Sequence, residues 1–182
     1  MLKTCSNASL GFIIQMTHTF KMFLKIYRTV NWAKMKYFAY GSNMDPDRMK
    51  GRGINFLKRE HAILEGWRLE FNKVSFKNPK EGYANIVMSE NSVVEGVLYE
   101  ISDSDLRILD KYEGYPSHYG RIKIIVRTDD GEKVEAVTYV AKPDKVKDGL
   151  KPSREYLCHL LKGCDLLSKE YCNRLRESET LD

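Results

Sequence analysis

The sequence VVEGVLYEISDSDLRILDKYEGY, residues 93–115, changes character twice, and each change marks an element boundary. Val93 to Ile101 is rich in valine, and β-branched side chains pack well on a pleated surface, so this part reads as a strand. Ser102-Asp103-Ser104-Asp105 follows. Short side-chain oxygens of this kind satisfy the free N–H groups of a helix start, so the cluster predicts a helix from Asp103 to Lys111. That helix presents Leu106, Leu109 and Asp110, and Gly114 stops it.

Upstream, Lys36 to Tyr40 reads as a short aromatic strand running into a tight loop, Gly41-Ser42-Asn43. Asp45 is placed to cap a helix with Pro46 in its first position, and Gly51 and Gly53 end it after Lys50. A strand from His61 to Phe71, bent at Gly66-Trp67, a loop from Asn72 to Gly82, a strand from Tyr83 to Met88 and a turn at Ser89–Ser92 lead back to Val93. Downstream, Tyr119 to Thr128 and Lys133 to Ala141 flank Asp129-Asp130-Gly131, a hairpin signal. Lys142 to Lys151 is a charged loop. Ser153 opens a helical section with Tyr156, Leu157, Leu160 and Leu161 on one face; Gly163 interrupts it and Ser168 to Arg176 continues it. Roughly six strands, mostly in hairpin order and interrupted by helices, predict an α+β fold: a small, mostly antiparallel, barrel-like sheet with flanking helices.

The chain has 182 residues and a net charge of +5. Lys3, Lys21, Lys25, Arg28 and Lys34 account for all of that excess, and no acidic residue precedes Met35. The chain therefore divides into a basic extension, 1–34, and a formally neutral domain, 35–182. A neutral body with interspersed charges excludes an electrostatic footprint for nucleic acid. The run Leu10-Gly11-Phe12-Ile13-Ile14 is too short for a membrane span. Three readings of the extension stay open: an artefact upstream of a functional start at Met35, which is favoured; an organelle transit peptide; or an amphipathic helix carrying Phe20, Phe23, Leu24 and Tyr27, which could pack between two copies in a homodimer. Cys5, Cys158, Cys164 and Cys172 match no paired metal-binding spacing, so reduced thiols and a cytoplasmic location are expected.

Two places could carry chemistry. A strand ending in Tyr40-Gly41-Ser42-Asn43 exposes backbone N–H groups on a tight loop, and such a nest suits an anion, most simply a carboxylate. Glu113 follows a helix and precedes a glycine, with Tyr112, Tyr115 and Tyr119 nearby. A carboxyl group walled by aromatics is shielded from water, which suits it to shuttle protons near neutral pH. Each feature alone has an ordinary reading, a strand-end turn and a solvent-facing glutamate.

Together they lie within a wider pattern. KYFAYGSNM (36–44), YANIV (83–87), VEGVLYEI (94–101), LDKYEGYP (109–116), TYVA (138–141) and the tail PSREYLCHLLKGCDLLSKEYCNRL (152–175) resemble, in order and spacing, the γ-glutamylcyclotransferase family with its AIG2-like fold. Cys164 stands where that family often has alanine. The resemblance implies an enzyme that turns a γ-glutamyl amino acid into 5-oxoproline and a free amino acid, without metal or cofactor. It implies Glu113 as the catalytic acid and base, the loop Tyr40, Gly41, Ser42 and Asn43 with Met44 at its end as the holder of the substrate's α-carboxylate, and Tyr119 and Tyr139 as substrate contacts or support for Glu113. Two alternatives remain: a related enzyme acting on γ-glutamylamines or another γ-glutamyl metabolite, and a small-ligand-binding protein that has lost turnover.

Overall fold

A computed structural model describes residues 35–182. The readings made of the basic extension lie outside the described residues. Strands β1 (Met35–Ala39), β2 (Phe56–Val74), β3 (Gly82–Ile101), β4 (Tyr119–Thr128) and β5 (Lys133–Ala141) close into a barrel in the order β1-β3-β2-β4-β5. Every pairing is antiparallel except β1 with β5, where Tyr37 and Val137 meet in parallel and close the sheet. Helices α1 (Pro46–Gly51), α2 (Asp103–Glu113), α3 (Arg154–Leu161) and α4 (Lys169–Arg176) flank it, with a short 3₁₀ turn at Ser42–Met44. The expected α+β class is what folds.

Burial along the strands shows where the helices lie. On β4 the pattern alternates, with Ile124, Val126 and Thr128 inside and Lys123 and Ile125 outside, because one face meets solvent. On β3, residues 94–99 are buried without a break, because both faces are covered. One core joins Phe38, Val97, Leu98 and Val126 of the barrel to Met49 of α1, Leu106 and Leu109 of α2, Leu160 of α3 and Leu175 of α4. Leu106 and Leu109 are fully inside, and burial of each such leucine contributes about 1.5–3 kcal/mol.

Two boundaries differ from the sequence reading. The two strands expected on either side of Ser89–Ser92 are one strand, β3. Met88 pairs with Trp67 and Val93 with Glu65, so residues 89–92 lie opposite the single residue Gly66 as a register shift, not a turn between strands. β2 also runs from Phe56 to Val74, well beyond the expected His61 to Phe71, because pairing with β3 extends strand geometry into polar sequence. Separately, the thiols expected to be reduced include a pair that is bonded. Cys164 and Cys172 form a disulfide with their Cα atoms 5.8 Å apart, because the turn at Lys162–Asp165 folds α4 back toward it. Cys158 is an exposed free thiol. Among the described residues no helix is long and apolar enough to cross a membrane.

Candidate functional site

Local sequence sets the two main pieces. Helix α2 starts at a reciprocal cap: the Ser102 hydroxyl accepts from the Asp105 N–H at 3.1 Å, and the Asp105 carboxylate accepts from the Ser102 N–H at 3.1 Å. It ends with Gly114 in the left-handed conformation at φ +63, which leaves Glu113 as its last residue. The second piece is the turn after β1. Its first N–H groups have no partner inside it, whereas the Met44 N–H is taken by the Gly41 carbonyl at 2.9 Å. Asp45 then caps α1, accepting from the N–H groups of Asp47 and Arg48.

These pieces converge on a small cavity, partly open to solvent and lined by Tyr37, Tyr40, Gly41, Ser42, Asn43, Ala84, Glu113, Tyr119, Tyr139 and Tyr156. Of the residues singled out in the sequence, Tyr40, Gly41, Ser42, Asn43, Glu113, Tyr119 and Tyr139 are brought together here. Met44 is not: it is fully buried in the core, packs against Gly163, and its carbonyl accepts from the Tyr99 hydroxyl at 3.3 Å.

Asn43 holds the centre. Its Nδ2 donates to Glu113 Oε1 at 2.9 Å and to the Tyr37 hydroxyl at 2.7 Å. Its Oδ1 accepts from Arg52 at 2.6 Å, and the same guanidinium nitrogen stands 3.4 Å from Glu113 Oε1. The Glu113 side chain is 17% exposed and that of Arg52 12%, so the pair is only partly screened by water. The Arg52 guanidinium also lies over the Tyr112 ring, 4.5 Å from its centroid.

The tyrosines form the rest of the wall. Tyr40 donates to the Tyr139 carbonyl at 2.5 Å, Tyr119 to the Ala84 carbonyl at 2.9 Å, and Tyr139 to the Asp110 carboxylate at 2.8 Å. The Tyr156 hydroxyl accepts from the Ala84 N–H at 3.0 Å. Burial, followed by the negative charge of Glu113, pushes the hydroxyls of Tyr37 and Tyr40 well above the usual phenol range; burial does the same to Tyr119, Tyr139 and Tyr156. They remain neutral hydrogen-bonding groups. Gly41 fits because it has no side chain: a Cβ there would lie 3.0 Å from Ala84 Cβ and 3.3 Å from the Tyr156 hydroxyl. One carboxylate and a wall of neutral phenols suit proton transfer on a bound substrate.

The model of the family described as "Gamma-glutamyl cyclotransferase, AIG2-like" matches residues 37–158, a span that holds the whole wall of this cavity. The chain belongs to that family. It is 33% identical to the γ-glutamylcyclotransferase of Bos taurus over 107 residues, and the match covers 57% of each chain. It is 29% identical to that of Mus musculus over 149 residues, covering 79% of this chain and 78% of the mouse one. The matched region thus spans little more than half the length of the bovine relative. A solved γ-glutamyl cyclotransferase structure superimposes with a TM-score of 0.73 at 27% identity, over 82% of this chain and 90% of that one.

Within this family frame, sequence reasoning had not singled out Tyr37, Arg52, Ala84 or Tyr156 as site residues. Three of them sit in stretches that carried the family resemblance: Tyr37 in KYFAYGSNM, Ala84 in YANIV, and Tyr156 in the tail. Arg52 carried no signal, because it lies in the glycine-flanked segment that ends α1.

Proposed function

We propose that the chain is a γ-glutamylcyclotransferase that converts γ-glutamyl amino acids to 5-oxoproline and a free amino acid, with Glu113 as general acid and base. The observation that carries this reading is the bond between Asn43 and Glu113 at the floor of a tyrosine-walled cavity, in a chain of this family. The substrate's α-carboxylate rests on the amides of the Tyr40–Asn43 loop. Glu113 takes a proton from the α-amine, whose nitrogen then attacks the γ-carbonyl and closes a five-membered lactam. The carbon–nitrogen bond to the leaving group breaks as Glu113 returns the proton to the departing nitrogen. The substrate supplies its own nucleophile, so the protein's task is to hold amine and carbonyl at attacking distance and to move one proton. The phenols around the cavity offer donors where charge collects on the carbonyl oxygen.

The test is to incubate the purified chain with γ-glutamyl-alanine and follow 5-oxoproline. Release that survives Glu113→Gln unchanged sinks the mechanism, and no release from any γ-glutamyl donor sinks the function.

A further inference from the structure

Beside the cavity, two buried nitrogens have no hydrogen-bond partner among the described residues: Lys73 Nζ and His118 Nδ1. Lys73 is 0% exposed. An ammonium carries three donors, and burying it without an acceptor is costly. Its neighbours are rings: the Phe76 centroid at 3.8 Å, Tyr83 at 5.5 Å and Tyr119 at 5.6 Å. These faces offset part of the lost hydration but accept no hydrogen bond in the ordinary sense. His118 meets the same Phe76 ring, with centroids 4.1 Å apart.

The cluster lies against both halves of the proposed chemistry. Tyr119 lines the cavity, and Tyr83 stacks on Tyr156, which also lines it. At Gly114, the neighbour of Glu113, a Cβ would lie 3.1 Å from His118 Cδ2 and 3.3 Å from Phe76 Cζ. A leaving nitrogen that takes its proton from Glu113 must come within hydrogen-bond reach of it. In a γ-glutamyl amino acid the second carboxylate is attached only one carbon beyond that nitrogen, so it falls close to Gly114. Phe76 is 58% exposed, so its ring can turn outward, and an arriving carboxylate replaces the contact that Lys73 then loses.

The geometry points to Lys73, with His118 beside it, as the subsite for the carboxylate of the departing amino acid, covered by Phe76 until substrate enters. This rests on the cyclotransferase reading and deepens it: the donor is a γ-glutamyl α-amino acid, not a γ-glutamylamine. A buried donor left unpaired by the wrong substrate gives strong discrimination, because the analogue must leave it so.

Two donors that differ only in that carboxylate test it, γ-glutamyl-alanine and γ-glutamyl-ethylamide. The full chain is expected to favour the alanine donor in kcat/KM by about tenfold or more, with the preference in KM. Lys73→Met is expected to shrink that ratio about tenfold, and Lys73→Arg to restore part of it. An unchanged ratio overturns the subsite, whether both donors lose turnover alike or neither does. Binding is read separately by calorimetry on Glu113→Gln: the alanine donor binds more tightly, and adding Lys73→Met abolishes the difference. That difference without turnover in the unmutated chain keeps the subsite and overturns the cyclotransferase reading. Turnover without the difference does the reverse, and absence of both overturns both.

Discussion

Asn43 and Glu113, 70 residues apart in the chain, are joined by a 2.9 Å hydrogen bond from Nδ2 to Oε1. The bond ties the turn after β1 to the last residue of α2, and so fixes the carboxylate relative to the amides of the loop. The same Asn43 amide group reaches Tyr37 and Arg52, so one buried side chain orders three others.

The two residues should fail differently when changed. Glu113→Gln keeps an oxygen that can accept from Asn43 but cannot carry the proton, so kcat is expected to fall by at least about 100-fold with little change in stability. Asn43→Ala keeps the carboxylate but frees it and leaves buried groups unpaired. It is expected to lower kcat by about 10- to 100-fold and stability by about 1–3 kcal/mol. Steady-state 5-oxoproline release and urea unfolding separate the two cases.

Gly41→Ala tests the tight approach of the loop to Ala84 and Tyr156. With contacts of 3.0 and 3.3 Å waiting for the new methyl, the turn has to shift away from β3. The expected cost is about 1–3 kcal/mol in urea unfolding, together with a raised KM, since the amides that would hold the α-carboxylate move with the turn.

Lys73 makes a prediction about pH. Burial lowers its ammonium to about 8 from an ordinary value of 10.5; Glu113 raises it and Lys145 lowers it further. The unfolded chain therefore binds more protons between those two values, and stability rises with pH across that window. Below about 8 the penalty is present in full, on the order of 3 kcal/mol. Lys73→Met is thus expected to be more stable than the unmutated chain at pH 7, with the gap closing as pH approaches 10.5. Denaturant unfolding at a series of pH values measures it, and an equal gap at every pH counts against the buried charge as its source.

At Asp45 the charged form is the one the fold stabilises, where at Lys73 it is the one the fold penalises. Burial works against its charge, but the hydrogen bond to His159 at 2.8 Å and the two backbone bonds at the start of α1 outweigh it and hold the carboxyl below its usual range. Its contribution is present above the ordinary value of 3.8 and is lost as pH falls through the lowered one. Asp45→Ala is expected to cost about 1–2 kcal/mol at neutral pH. That difference should narrow in acid, which thermal unfolding at pH 7 and at pH 3 would reveal.

Local patterns in the sequence determined the elements and the positions of the two chemical pieces. Ser102 to Asp105 begins a helix and Gly114 ends it whatever surrounds them, because caps and left-handed stops act within a turn. The same holds for Asp45 with Pro46 and for the hairpin at Asp130-Gly131. Tertiary structure decided what depends on pairing across the chain. Residues 89–92 became part of one long strand because β2 offers a partner on both sides of Gly66. Met44 went to the core because Gly163, with no side chain of its own, left room for the Met44 side chain. Arg52 joined Glu113, Cys164 joined Cys172, and Lys73 was left buried without an acceptor among the described residues. None of these is encoded by neighbours in the sequence. Each follows from barrel closure, which sets distances between segments that local propensity leaves free.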